Sequence, residues 1–175
     1  MRCIFVLGPQ SSATRLWTEI LIRSGCQGDF THKQRLDKGL DGFTADKPIV
    51  WRRSYPHFKE IIWPDVREMV KLLPGYEFQT VVTTRDWWSM ASSQVANRKG
   101  VHSYEDAYDR IKRAFANIKM QLQDLKLEPV TVSYEGLILN PPQVTSGLSQ
   151  KLNISEADLT GLEIRNENLK WRNRR

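Results

Sequence analysis

Apolar residues fill Cys3-Ile4-Phe5-Val6-Leu7 without a break, the pattern of a strand buried on both faces. The run ends in Gly8-Pro9-Gln10-Ser11-Ser12-Ala13-Thr14-Arg15. Beyond it Leu16, Trp17, Ile20 and Leu21 recur at helical spacing until Ser24-Gly25 stops the helix. Residues 26–47 are polar, carry three glycines and read as a long loop. A short strand is expected over Pro48–Arg53. Pro64 and Asp65 open a helix to Leu73, closed by Pro74-Gly75. Phe78–Thr84 is β-branched and apolar, a third strand, and Asp86 starts a helix to about Asn97. Ser103, with Asp106 three residues on, caps a long helix from Tyr104 to about Leu125. Pro129–Ser133 predicts a fourth strand and Pro141–Leu152 a further helix.

Strands alternating with helices of a dozen residues predict a parallel sheet covered on both faces. The expected fold is therefore a three-layer α/β sandwich of about four strands, in one domain spanning residues 1–175. In such sheets ligands bind at the carboxyl ends of the strands. That rule gathers the loops after Leu7, Arg53 and Thr84 on one edge, with the first and third strands expected as neighbours.

Composition adds a sign to the ligand. The 175 residues carry a formal charge of +6, and in the last eleven residues of the basic tail at 163–175, Arg165, Lys170, Arg172, Arg174 and Arg175 face only Glu167. An anionic ligand suits that balance. A nucleic-acid partner fits less well, because no strand interleaves aromatic and basic residues and no helix reads as a DNA reader. Cys3 and Cys26 do not make a disulfide framework, and no Cys/His spacing suggests a metal site. No charged leader precedes the first strand and no run approaches the ~18 apolar residues of a membrane span. A cytoplasmic setting without membrane association is the expectation.

A strand, a tight small-residue turn and a helix N-terminus together suit an anion, since first-turn N–H groups converge there along the helix dipole. Ser11, Ser12 and Thr14 add hydroxyls. The turn departs from a Walker A loop at its end, where Ala13-Thr14-Arg15 stands in place of Gly-Lys-Ser/Thr. A second anion site is expected where the third strand ends. There Arg85 is followed eight residues later by Ser93, so a guanidinium fork and a hydroxyl can grip one phosphate.

In order and spacing these pieces resemble the sulfotransferase family, a P-loop fold that uses 3'-phosphoadenosine 5'-phosphosulfate (PAPS). Ser11-Ser12-Ala13-Thr14-Arg15 is similar to the family's 5'-phosphosulfate loop, and Arg85-Asp86 with Ser93 to its 3'-phosphate motif. Tyr134-Glu135-Gly136-Leu137 with Asn140-Pro141 is similar to its Tyr-Glu-Asp-Leu and Asn-Pro segment. Lys170-Trp171-Arg172 is similar to the basic C-terminal segment that closes on the 3'-phosphate. The resemblance covers roughly residues 2–154 plus the tail. It implies transfer of a sulfuryl group from PAPS to a hydroxyl or amine acceptor, with adenosine 3',5'-bisphosphate as product and no metal. The implied nucleotide site comprises Gly8, Gln10, Ser11, Ser12, Ala13, Thr14, Arg15, Arg85, Ser93, Lys170 and Arg172.

Three departures bear on catalysis. Ser11 stands where the family carries a lysine or arginine, Ala13 replaces the loop glycine, and Trp87 replaces the proline after Arg-Asp. The missing loop charge is expected from Arg15, or from Arg52 or Arg53 on the second strand. His57 follows that strand, close to where the family places a catalytic histidine, and is the candidate base, with His32 in the polar loop as a second. Two other functions remain open on these residues: a P-loop nucleotide kinase or phosphotransferase, and a nucleotide-binding protein without efficient catalysis. The acceptor is not legible, because acceptor pockets come from loops such as 26–47.

Overall fold

The computed structural model describes residues 1–28, 43–56, 63–98 and 100–172. Four strands, β1 (Arg2–Pro9), β2 (Ile49–Tyr55), β3 (Glu77–Thr84) and β4 (Pro129–Ser133), form one sheet in the order β2-β1-β3-β4. Every pairing is parallel. The first and third strands are neighbours, as expected, in a register that sets Leu7 beside Val82. Seven helices accompany the described strands: α1 (Thr14–Arg23), α2 (Val66–Lys71), α3 (Trp87–Asn97), α4 (Tyr104–Asp124), α5 (Tyr134–Leu139), α6 (Pro141–Leu152) and α7 (Leu169–Arg172).

Alternation along β1 assigns the two faces. Cys3, Phe5 and Leu7 pack with Trp51 and with Ala114, Ile118 and Leu122 of α4. Ile4 and Val6 pack on the other face with Trp17, Ile20 and Leu21 of α1 and Leu148 and Leu152 of α6. Both faces of β1 are thus buried, which explains its unbroken apolar run. On α4, Ala107, Ile111, Ala114, Ile118 and Leu122 are buried at spacings of three and four residues, one apolar stripe. Burying an Ile118 or Leu122 side chain contributes about 1.5–3 kcal/mol each. The Ser103 hydroxyl accepts from Asp106 N at 3.0 Å, the cap expected from the sequence.

The sequence reading is corrected at three places. β2 runs on to Tyr55 rather than stopping at Arg53, and two short helices, α5 and α7, follow β4 and end the described tail. Of the expected 26–47 loop, residues 29–42 lie outside the described residues. Its two ends are joined by Gln27. The Gln27 amide donates to Thr44 O at 2.6 Å and Lys47 O at 2.8 Å and accepts from Thr44 N at 2.8 Å. No described helix is long and apolar enough to cross a membrane.

Candidate functional site

The sheet order brings the β1–α1 turn and the β3–α3 turn side by side. In the first turn Ser11 (φ 70°) and Ala13 (φ 68°) both adopt the left-handed conformation. Non-glycine residues held there are strained by roughly 1 kcal/mol or more each. Left-handed residues in a tight turn swing N–H groups toward one side, making a concavity for an anion. Ala13 is also the N-cap of α1. No side chain caps this helix and no acidic residue stands in its first turn, so the positive end of its dipole is left uncompensated.

Not every expected anion ligand faces that concavity. The Ser12 hydroxyl is buried, donates to Pro9 O at 2.7 Å and lies 2.7 Å from Thr83 Oγ1 on β3. A Cβ on Gly8 would lie 2.2 Å from Thr83 Oγ1 and 2.5 Å from Ser12 Oγ. Gly8 and Ser12 therefore fasten the turn to β3. Gln10 is also part of the frame: its N–H donates to Tyr55 O at 3.1 Å, and its carbonyl accepts from Gln94 Nε2 at 2.9 Å. Thr14, at the start of α1, lies with its hydroxyl 3.1 Å from Ser54 Oγ on β2.

The candidate loop-charge arginines are separated by the sheet. Register sets Arg52 beside Val6 and Arg53 beside Leu7, so the two point to opposite faces. Arg53 lies 5.0 Å from the Trp51 ring centroid on the α4 face and donates to Arg52 O at 2.9 Å. Arg52 is buried on the α1 face, the face on which Ser54 meets Thr14. Arg15, in the first turn of α1, is exposed.

Arg85 joins three segments. Its Nη1 donates to Ser11 O at 3.2 Å, its Nε donates to Asn168 Oδ1 at 2.6 Å, and its guanidinium lies 4.6 Å from the Tyr134 ring centroid. Nη2 is buried with no hydrogen-bond partner. Burial holds the Arg85 pKa below its ordinary value, against the opposing pull of Tyr134, Glu135, Glu167 and Asp86. The guanidinium stays charged nonetheless. Glu135 Oε1 accepts from Asp86 N at 2.9 Å and Asn168 Nδ2 at 2.7 Å, while Oε2 accepts from Ser133 Oγ at 3.0 Å. Burial pushes the Glu135 carboxyl up, yet these hydrogen bonds outweigh it and hold the pKa below the usual value. Beside this network a cavity of about 380 Å³ is lined by Asp86, Trp88, Ile138, Asn166 and Leu169 among others.

Ser93 is half-buried on α3, downstream of Arg85. The tail reaches the β3–α3 turn through Asn168. Lys170 is paired with Glu167, and the Arg172 side chain lies outside the described residues. His57 and His32 lie outside them as well. Among the described residues, no group of three or more His, Cys, Asp or Glu is placed to hold a metal ion. Asn168 was missed in the sequence because a lone asparagine in a polar tail carries no spacing signal. Tyr134 and Glu135 lay in a recognised motif that gave them no role.

No protein-family model and no curated protein sequence matches the chain. In three dimensions it is similar to the sulfotransferase domain from the curacin biosynthetic pathway. The TM-score is 0.55 at 16% identity, over 98% of this chain and 77% of that one. The fold is sulfotransferase-like. The parallel four-stranded sheet and its flanking helices match that architecture.

Proposed function

We propose that this chain is a sulfotransferase, moving a sulfuryl group from PAPS to a hydroxyl or amine acceptor. The observation that carries the reading is the Arg85–Ser11 contact, in which a half-buried arginine at the end of β3 donates to the uncapped turn ahead of α1. Two adjacent sites, each suited to an anion, fit a nucleotide bearing phosphate groups on both its 3' and 5' oxygens.

In this reading the turn over Ser11–Thr14 and the first N–H groups of α1 face the 5'-phosphosulfate. Arg85, with Ser93, faces the 3'-phosphate, and its partnerless buried Nη2 fits the role because a phosphate oxygen would complete its hydrogen bonding. PAPS supplies the sulfuryl group: the acceptor oxygen or nitrogen bonds to sulfur while the bond from sulfur to the bridging oxygen breaks. Charge growing on the departing phosphate is met by the α1 N-terminus and by an arginine standing in for the loop lysine. Of the three we assign this role to Arg52, which shares the α1 face with Ser54, the partner of Thr14. His57 is proposed to take the acceptor proton.

The test compares thermal stabilisation by adenosine 3',5'-bisphosphate with that by ATP plus magnesium, followed by transfer of labelled sulfate from PAPS to a panel of alcohols, sugars, phenols and amines. The bisphosphate should stabilise more and label should appear on an acceptor. Preference for magnesium ATP would favour a kinase instead.

A further inference from the structure

The C-terminal segment reaches Arg85 through the side chain of Asn168, which is engaged at both ends. Its Oδ1 accepts from Arg85 Nε at 2.6 Å and its Nδ2 donates to Glu135 Oε1 at 2.7 Å. The partners settle the orientation of this amide. Only the oxygen can accept from a guanidinium, and only the NH₂ can serve a carboxylate. Glu135 is itself fixed by Asp86 N and Ser133 Oγ. On the arginine, Nη1 donates to Ser11 O and the Tyr134 ring lies against the guanidinium. These contacts leave Nη2, which is buried without a protein partner.

We propose that Asn168 is a positioning residue, fixing the Arg85 guanidinium so that Nη2 meets the 3'-phosphate, with Glu135 holding the amide in place. The inference rests on the sulfotransferase reading above. A neutral amide suits the task better than a carboxylate. An aspartate at 168 would still accept from Nε, but it would compete with phosphate for the positive charge and stand against Glu135.

Calorimetry tests the inference with adenosine 3',5'-bisphosphate and adenosine 5'-phosphate on wild type, Asn168→Ala, Asn168→Asp and Tyr134→Phe. The last is the control. The Tyr134 hydroxyl bonds Arg165 O and accepts from Glu167 N at 3.1 Å, so its removal loosens the same segment while keeping a ring against Arg85. In Asn168→Ala the preference for the bisphosphate should fall about tenfold, with affinity for the 5'-phosphate unchanged. Asn168→Asp, which keeps the side chain's size, should lose the preference as well, and Tyr134→Phe should retain it. An unaltered preference in both Asn168 variants would overturn the inference, as would equal losses for the two ligands or a fall in Tyr134→Phe as large as in Asn168→Ala. A wild type with no preference for the bisphosphate would instead defeat the sulfotransferase reading, and the inference with it.

Discussion

Thr14 Oγ1 lies 3.1 Å from Ser54 Oγ, so the first turn of α1 is tied to the carboxyl end of β2. Strand alternation puts Arg52 on the same side of the sheet as Ser54 and sends Arg53 to the other.

That relationship separates two candidate arginines. Arg52→Ala should lower the rate of sulfuryl transfer at least about tenfold while leaving bisphosphate affinity within about threefold, as expected of a charge that acts mainly in the transition state. Arg53→Ala should affect transfer little, since Arg53 rests on Trp51. Steady-state kinetics with PAPS, paired with calorimetry, decides it. Equal rates for Arg52→Ala and wild type would remove Arg52 from the mechanism.

The strained turn gives a stability prediction. Ala13 sits at φ 68°, where glycine suffers no Cβ clash. Against the greater entropy glycine loses on folding, Ala13→Gly should come out neutral to stabilising, by up to about 1 kcal/mol in urea unfolding. A loss of more than about 1 kcal/mol would mean that the alanine methyl packs favourably enough to outweigh the strain.

Arg85→Ala and Ser93→Ala address the second anion site. Each should weaken adenosine 3',5'-bisphosphate by about 1.5–3 kcal/mol, more than tenfold, and adenosine 5'-phosphate far less. Equal losses by calorimetry would remove the 3'-phosphate from this site.

Glu135 predicts a pH dependence. Its carboxyl is held below its ordinary value of 4.5 in the folded chain. A carboxyl depressed by folding stabilises the native state above its unfolded pKa and loses that contribution as pH falls through the folded one. The stability gap between wild type and Glu135→Gln, read from urea melts, should therefore be widest near neutrality and narrow below pH ~4. A gap that stays constant down to pH ~3 would show that the charge contributes nothing.

The sheet was legible because apolar runs and amphipathic helices alternate, and because the two anion-suited turns had to converge. β1 shows why: with both faces buried, its sequence could hardly read otherwise. The local site was less legible. Ser12 reads as a ligand hydroxyl in a small-residue turn, yet its direction depends on Thr83, seventy-one residues away on another strand. Gly8 reads as room for an anion, whereas the space is taken by the same threonine. Ser11 and Ala13 gave no sign of their left-handed backbone, which normally announces itself as glycine. The tail was read through its charges, but Lys170 pairs with Glu167 and the contact to Arg85 is made by uncharged Asn168.

A crystal structure with adenosine 3',5'-bisphosphate tests the central claim most directly. The account predicts the 5'-phosphate at the N–H groups opening α1, the 3'-phosphate on Arg85 Nη2, and Asn168 still bonded to Nε. A bisphosphate bound away from both turns, or lying with its 3'-phosphate away from Arg85, would contradict it.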